Sequence, residues 1–170
     1  YEPIVVGKTL YYSSSRDDSV TALDTQTGHK KWRFYTDGPV RFAPAALDGR
    51  IHVGSDDGCL YCLDGATGKL RWKFRAAPSR RKILGNGSLI SVWPVRGGPV
   101  AQDGKVYFAA GVWPMEGVFV YALDAESGDV VWLNDNAAFL YGQHPHDAKA
   151  FGGLSPQGYL VINGDELIVP

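Results

Sequence analysis

One eleven-residue phrase occurs three times in this chain, and it restricts the fold more than any other feature of the sequence. It reads ALDTQTGHKKW at 22–32, CLDGATGKLRW at 62–72 and ALDAESGDVVW at 122–132. The first two copies are 40 residues apart and the last two are 60 apart. A unit that recurs at such a spacing indicates a repeat architecture, in which each unit packs against its neighbours.

The residues kept in every copy suit a tight turn followed by a packing surface. The aspartates can bind backbone amides across the turn, the glycines can adopt a positive φ, and the tryptophans supply flat surface for packing between units. These residues are Asp24, Asp64 and Asp124, then Gly28, Gly68 and Gly128, then Trp32, Trp72 and Trp132.

Short strands with alternating polarity surround each copy of the phrase. The second unit is the clearest, with VRFAPAAL, RIHVGS, CLYCLD and KLRWKF separated by DG, DDG and GATG. Turns of this kind are typical of hairpins, so the pattern predicts four antiparallel strands, A to D, in a meander. A four-stranded unit repeated at about 40 residues is typical of a β-propeller blade.

The spacing Ala-x-Asp-x-x-x-Gly-x-x-x-Trp resembles the tryptophan-docking motif of the pyrroloquinoline quinone (PQQ) repeat propellers, a quinoprotein-like family. Cys62 departs from the motif's Ala, a small-for-small change. The stretches GPVRFAP, SDDGCLYCLD, WPVR and GLSPQGYL resemble most closely the PQQ-like propeller regions of planctomycete-type bacterial proteins. The resemblance implies an all-β fold, a partial β-propeller of four-stranded antiparallel blades.

The blade pattern covers the whole chain as one domain, residues 1–170. The predicted segments are blades at 1–38, 39–75 and 94–133, a half blade at 154–170, and insertions at 76–93 and 134–153. Closed propellers typically have four to eight blades, so about three and a half blades do not close a ring. We therefore expect a segment of a larger ring of seven or eight blades, whose remaining blades would be its partners.

The insertions all fall at one end of the blades. In a meander, the A-to-B and C-to-D turns share one end, and the B-to-C turns and the links between blades share the other. The first end has only short turns, whereas the second carries residues 76–93, a predicted hairpin at 111–118, and residues 134–153. Loops that elaborate one rim of a rigid scaffold often bind ligands, although tolerated insertions are the alternative.

Two arginines occupy equivalent positions in adjacent blades. PVRFAPAALDG at 39–49 and PVRGGPVAQDG at 94–104 place Arg41 and Arg96 at the same distance from an Asp-Gly turn, on the innermost strand. Guanidinium groups at the central channel suit a carboxylate or phosphate, which Arg grips with two hydrogen bonds. The alternative is that each arginine pairs with a nearby Asp or carbonyl as a structural brace.

Four further residues of the elaborated end are candidates for binding a ligand: Arg80, Arg81, Trp93 and Trp113. The two arginines belong to a basic run that ends at Lys82, which suits an anion or an acidic partner unless it is a solvated loop. Each tryptophan precedes a proline and can stack on a planar ligand or cover the rim.

A metal site is only weakly indicated. His144 and His146 form a His-x-His pair, but no further ligands lie nearby in the sequence, and a site needs at least three. Cys59 and Cys62 lie in an alternating strand, where positions three apart face opposite sides. Their Cα atoms are then too far apart for a disulfide, so we expect buried free thiols.

Charge and hydropathy exclude two classes of partner. Seventeen Lys and Arg against eighteen Asp and Glu give a formal charge of −1, which lacks the basic footprint of a nucleic-acid binder. No apolar run approaches the roughly 20 residues of a transmembrane helix, and no signal peptide is evident in this segment. The partner we expect is a protein or a small anionic ligand.

Two functions follow from the resemblance. The first is a binding or scaffold module, as in the outer-membrane assembly lipoproteins that share the quinoprotein fold but bind proteins. The alternative is a fragment of a PQQ- and calcium-dependent alcohol or sugar dehydrogenase; no set of residues here matches that family's catalytic motif, so no catalytic residue is assigned. The cofactor is therefore unknown. Family habit implies an exported, periplasmic or surface protein, although two free thiols argue mildly against an oxidising compartment.

Overall fold

The computed structural model describes residues 2–85, 87–136, 138 and 140–170, and it confirms the predicted all-β class. The strands are β1 Ile4–Val6, β2 Thr9–Ser14, β3 Ser19–Asp24, β4 Lys30–Tyr35, β5 Ala45–Leu47, β6 Arg50–Gly54, β7 Cys59–Asp64, β8 Leu70–Arg75, β9 Lys82–Gly85, β10 Ser88–Ser91, β11 Val95–Gln102, β12 Lys105–Ala110, β13 Phe119–Asp124, β14 Val130–Asn134, β15 Leu140–Gln143, β16 Lys149–Gly152, β17 Gly158–Tyr159, β18 Val161–Asn163 and β19 Glu166–Ile168. No helix within the described ranges is long and apolar enough to cross a membrane.

The strands form three four-stranded antiparallel meanders. We call β1–β4 blade 1, β5–β8 blade 2 and β11–β14 blade 3. In each blade the pairing of the last two strands shifts register at the start of the repeated phrase, at Ala22/Leu23, Cys62/Leu63 and Ala122/Leu123. The same irregularity in all three blades shows that the phrase builds one local structure, and the arrangement is an open, partial propeller.

A shorter element follows blade 3. Strand β17 pairs in parallel with β11, through Gly97 with Gly158 and Gly98 with Tyr159, and β18 and β19 form a hairpin. Leu160, between them, is buried in a cluster with Ala109 and Val120 of blade 3. The last segment of the chain therefore packs on blade 3 through its own apolar residues.

The repeated aspartate organises its turn as predicted. In blade 1 the Asp24 carboxylate accepts hydrogen bonds from the amides of Gln26 and Thr27, both at 3.0 Å. The hydrogen bonds from the backbone amides of Thr27 and Gln26 hold the pKa of Asp24 at about 2, because they stabilise the charged form of its carboxyl group. Gly28 closes the turn with a φ of 71° and donates to the Asp24 carbonyl at 2.8 Å.

The repeated tryptophan packs on the next blade. Trp32 is buried, and its indole N–H donates to the Gly65 carbonyl of blade 2 at 2.9 Å. Its ring covers Gly68, where an added Cβ would lie 2.5 Å from ring carbon Cδ2. Trp72 covers Gly128 of blade 3 in the same way. The phrase therefore supplies both halves of the contact between blades, the ring on one blade and the glycine on the next.

The contact between blades 2 and 3 differs in its polar groups. Where blade 1 has Tyr11, which donates to the Gly65 carbonyl at 3.1 Å, blade 2 has His52. The Nε2 atom of His52 lies 3.2 Å from the Ala125 carbonyl, and the Trp72 indole N–H has no hydrogen-bond partner among the described residues. At the contact between blades 1 and 2, a tyrosine and a tryptophan share the Gly65 carbonyl. At the contact between blades 2 and 3, the fully buried His52 contacts the equivalent carbonyl, that of Ala125.

His52 should make the stability of the protein depend on pH. Burial lowers the pKa of His52 from 6.5 to about 4. As the pH falls below 6.5, His52 binds a proton in the unfolded chain but stays neutral in the folded chain. The free energy of unfolding therefore decreases by about 3 kcal/mol between pH 6.5 and 4. Urea unfolding of the wild type at pH 7, 6, 5 and 4.5 measures this loss.

The matched variants for this prediction are His52→Gln and His29→Gln. The first keeps a donor for the Ala125 carbonyl but does not titrate, so its stability should be nearly flat over the same pH window. The second changes an exposed histidine and should keep the wild-type slope. If His52→Gln retains that slope as well, His52 is not its source.

The two cysteines are free and buried, as predicted, and face different contacts. Cys59 belongs to the apolar cluster between blades 1 and 2, whereas the Cys62 sulfur lies 4.0 Å from the Ala125 carbonyl of blade 3. Burial raises the pKa of each thiol to about 11, so both are protonated at neutral pH and serve as small core residues.

The elaborated end contains more regular structure than a set of loops. The segment between blades 2 and 3 forms the β9–β10 hairpin, and the segment after blade 3 forms the β15–β16 hairpin. The stretch 111–118, predicted as a hairpin, is the loop that joins the antiparallel strands β12 and β13, and it contains a 3-10 helix at Pro114–Glu116. Both hairpins and this helix lie at the end predicted for binding.

Candidate functional site

The structure brings Arg41 and Arg96 to one buried carboxylate. Asp56 lies in the turn between β6 and β7, and its side chain is only 1% exposed. Arg41 Nε contacts Asp56 Oδ2 at 2.6 Å, while Arg96 contacts both carboxylate oxygens, each at 3.0 Å. This is the bracing arrangement left open by the sequence, with a single Asp shared by the two arginines.

The three groups leave one positive charge in excess. Asp56 neutralises one of the two guanidinium groups, and both arginines remain partly exposed, with side chains 26% and 15% accessible. Removing a charged partner from such a buried cluster lowers the free energy of unfolding strongly, because the remaining charge is left unpaired in a region of low dielectric constant. The cluster therefore joins the segment before β5 and the start of β11 to the β6–β7 turn.

A second and more open site lies beside this turn. A cleft of about 400 Å³ is lined by Asp37, Asp57, Arg75, Arg80, Arg81, Lys82 and Ser91. Arg75, Arg80 and Lys82 are exposed and form no ion pair with any residue that the structure describes. Four of the seven lining residues are cations, and three of these have no ion-pair partner in the described part of the chain. We call this concavity the basic cleft.

The two carboxylates of the basic cleft share one lysine. Lys73 contacts Asp37 at 2.6 Å and Asp57 at 3.2 Å, and the Tyr61 hydroxyl donates to Asp57 at 2.5 Å. The hydrogen bond from Lys73 lowers the pKa of Asp37, and burial together with Asp57 raises the pKa of Tyr61. Lys73 thus contacts both acids, whereas Arg75, Arg80 and Lys82 form no ion pair among the described residues.

Arg81 lines one side of the basic cleft and rests on Trp93. Arg81 pairs with Glu116 of the 3-10 helix and lies over the Trp93 ring, 5.2 Å from its centroid. The Trp93 indole N–H donates to the Glu116 carbonyl at 2.5 Å, and its side chain is buried. Trp93 thus supports Arg81 from below and does not itself line the basic cleft. Trp113 differs, because it is 37% exposed beside Ile83, Val92 and Met115.

The remaining candidates lie apart from this site. His144 and His146 occupy the turn of the β15–β16 hairpin, where the Asp147 amide donates to the His144 carbonyl at 3.0 Å. Within the described ranges, no group of three or more His, Cys, Asp or Glu side chains is placed to hold a metal ion.

Sequence reasoning missed Asp56, Asp57, Lys73 and Tyr61. The stretch SDDG was interpreted as a turn between strands, and its two acids were not assigned partners. Arg96, Lys73 and Tyr61 lie on three different strands and Arg41 lies in the segment before β5, so only the packing of the blades shows what each acid contacts. The sequence did contain one usable signal. Asp56 and Asp57 are adjacent acids in a turn at the same end of the blades as Arg41 and Arg96, which are predicted to lie at the central channel.

Asp56 and Trp93, at the elaborated end, are not free to hold a quinone with calcium. Such a group needs carboxylate or amide oxygens free to bind the ion, and a flat aromatic surface open to the ring. Both Asp56 oxygens are occupied by Arg41 and Arg96, and Arg81 covers the face of Trp93. We derive no chemical step through this group.

Three interlocking blades with a ring-on-glycine contact define the class of this protein, a PQQ-like β-propeller. The comparison with known families agrees: the family described as outer membrane protein assembly factor BamB matches residues 16–169. The chain belongs to that family. The closer likeness to planctomycete-type proteins stays a prediction.

Individual relatives include both dehydrogenases and an assembly factor. The chain is 28% identical to the dehydrogenase subunit of an alcohol dehydrogenase (quinone) from Komagataeibacter europaeus, over 92% of this chain and 23% of the relative. The crystal structure of quinohemoprotein alcohol dehydrogenase from Comamonas testosteroni matches 86% of this chain and 22% of that protein, with a TM-score of 0.66 and 26% identity.

BamB from Moraxella catarrhalis matches 95% of this chain and 43% of that protein, with a TM-score of 0.66 and 16% identity, which shows a common fold. The match to the Komagataeibacter europaeus dehydrogenase subunit includes 92% of this chain, yet the chain spans less than a quarter of the length of that protein. The activities and partners of the longer proteins are therefore proposals for this chain.

Proposed function

We propose that this propeller is a binding module that takes an anionic ligand, either a small anion or an acidic protein segment, at its elaborated end. The observation that carries the proposal is the basic cleft, where Arg75, Arg80 and Lys82 have no ion-pair partner among the described residues. With Lys73 and Arg81 included, five cations face Asp37, Asp57 and Glu116. A local surplus of two positive charges on a chain of net charge −1 favours an anion.

Calorimetric titration with a hexaglutamate peptide and with inorganic pyrophosphate tests this function. We expect at least one probe to bind the wild type, with an affinity that falls when NaCl is raised from about 50 to about 200 mM, because salt screens exposed charges. The double variant Arg80→Glu/Lys82→Glu should weaken binding by at least about tenfold, since it replaces two attractive contacts by repulsive ones.

Lys69→Glu is the matched control. Lys69 is exposed on the same blade but at the opposite end, in the turn before β8. Its reversal changes the net charge in the same direction and should leave the affinity unchanged. An equal loss in this variant would assign the binding to overall charge, and binding of neither probe would contradict the proposal.

Arg41 and Arg96 remain candidates for the same function at the central channel. Their support is the one positive charge left over after pairing with Asp56. Replacing Arg41 by Ala should weaken anion binding only if the channel contributes to it. An unchanged affinity in Arg41→Ala and in Arg96→Ala would leave the basic cleft as the site and remove the channel.

The alternative, a fragment of a PQQ-dependent dehydrogenase, is supported by the similarity of the chain to quinone-dependent alcohol dehydrogenases. Adding PQQ and Ca²⁺ to the protein and following the quinone absorbance tests it: a saturable spectral change would favour the dehydrogenase. We also infer an exported protein, because the family's description names an outer membrane assembly factor. Cell fractionation that found the chain in the cytoplasm would contradict export.

A further inference from the structure

One face of the β9–β10 hairpin continues the basic cleft as an apolar surface. The hairpin pairs Lys82 with Ser91, and the next pair on the same face, two residues along each strand, is Leu84 with Leu89. Leu84 is 77% exposed and Leu89 is 63% exposed, although both are large and apolar. Two exposed leucines therefore lie opposite each other on the hairpin, two residues along the strand from Lys82 and on the same face.

The opposite face of the hairpin accounts for its folding. Ile83 and Ile90 pair across the strands; Ile90 is 1% exposed, and Ile83 packs on the cluster of Ala77, Val92 and Trp93. That face attaches the hairpin to the propeller. The Leu84–Leu89 pair contributes nothing to this attachment, because alternate residues of a strand point to opposite faces.

From this arrangement we propose that the ligand is an extended segment of a partner protein in which an acidic residue and an apolar residue lie two positions apart. The proposal deepens the proposed function and rests on it. Residues i and i+2 of an extended chain point to the same side about 6.7 Å apart, which is also the separation of the Lys82–Ser91 and Leu84–Leu89 pairs along the hairpin. An acidic side chain then enters the basic cleft while the apolar one covers the leucines.

Charge complementarity selects this occupant over a second apolar surface. The cations beside the leucines lack protein partners among the described residues, so a purely apolar partner would bury them unpaired. A small anion would satisfy the cations and leave the leucines in water. Only a segment that carries both kinds of side chain satisfies both parts of the surface.

Three synthetic peptides test the proposal in calorimetric titrations of the intact chain. The first, acetyl-Gly-Glu-Ser-Leu-Ser-Glu-Gly-amide, places Glu and Leu two residues apart; the second has Ser in place of Leu; the third, acetyl-Gly-Glu-Leu-Ser-Ser-Glu-Gly-amide, places Leu next to the first Glu. We expect the first peptide to bind about fivefold more tightly than the second, because it covers exposed leucine surface. The third should bind like the second, since Glu and Leu then face opposite sides.

Variants of the protein separate this inference from the proposed function. Leu84→Ser/Leu89→Ser should abolish the difference between the first two peptides, while Leu70→Ser, an exposed leucine at the start of β8, should preserve it. Thermal unfolding of each variant checks that the fold is intact. If Leu84→Ser/Leu89→Ser retains the fivefold preference, or the wild type has none, the extended acidic and apolar ligand is excluded. If Arg80→Glu/Lys82→Glu also binds every peptide as the wild type does, the basic cleft fails with it.

Discussion

Replacing Gly68 by Ala should lower the free energy of unfolding by about 2 to 5 kcal/mol, from about 1 to 2 kcal/mol of backbone strain and about 1 to 3 kcal/mol of overpacking. Gly68 has a φ of 71°, and its added Cβ would lie 2.5 Å from Cδ2 of Trp32. The ring cannot withdraw without breaking the 2.9 Å hydrogen bond from its indole N–H to the Gly65 carbonyl. Urea denaturation followed by tryptophan fluorescence measures the loss.

The chain contains its own control for this substitution. Gly28 occupies the same place in the repeated phrase with the same φ of 71°, but nothing lies within 4 Å of its added Cβ. Gly28→Ala should therefore lose only the backbone part, about 1 to 2 kcal/mol. Equal losses at the two glycines would mean that the contact with Trp32 tolerates a methyl group and contributes little to the packing of the blades.

Asp56→Asn should destabilise the protein by about 4 kcal/mol, because removing one partner from a buried ion pair leaves the others uncompensated. The carboxylate is 1% exposed and accepts hydrogen bonds from both Arg41, which lies just before β5, and Arg96 of β11. The amide keeps the shape of the side chain but turns one acceptor into a donor that faces a guanidinium group. The loss measures how much this cluster holds blades 2 and 3 together.

Glu126→Gln makes the same chemical change in an exposed ion pair. Glu126 is 80% exposed and contacts Arg50 at 2.7 Å, between blades 3 and 2. Water screens this pair, so the change should cost less than about 1 kcal/mol. A loss at Asp56 no larger than that at Glu126 would show that burial does not raise the cost, and Arg41 and Arg96 would then be free for other partners.

Scaffold and binding site meet at the β6–β7 turn. Asp56 binds the two inner arginines, while its neighbour Asp57 lines the basic cleft and holds Lys73 and Tyr61. The Ser91 amide, at the end of the β9–β10 hairpin, donates to the Asp56 carbonyl at 2.7 Å. The hairpin that carries the proposed ligand surface is thus fixed to the same turn that braces the blades.

The sequence by itself determined the blade. The Asp, Gly and Trp of the repeated phrase act within one turn or across one contact between identical units, so their spacing was sufficient to predict the turn, the positive φ and the packing surface. The same repetition placed Arg41 and Arg96 in equivalent positions and put the insertions at one end. It did not predict the 3-10 helix at Pro114–Glu116 inside the loop of the β12–β13 hairpin, because a proline in a loop is compatible with several turn conformations.

Only the tertiary structure decided what the polar residues contact. Arg41 and Arg96 converge on Asp56, and Arg75, Arg80 and Lys82 surround one cleft, because separate strands and an insertion meet at the elaborated end. Likewise, the sequence of the β9–β10 hairpin contains four apolar residues, but its register decided that Ile83 and Ile90 are the attached pair and Leu84 and Leu89 the exposed one. Local periodicity fixes a repeat unit, whereas pairing between distant residues depends on how the units pack.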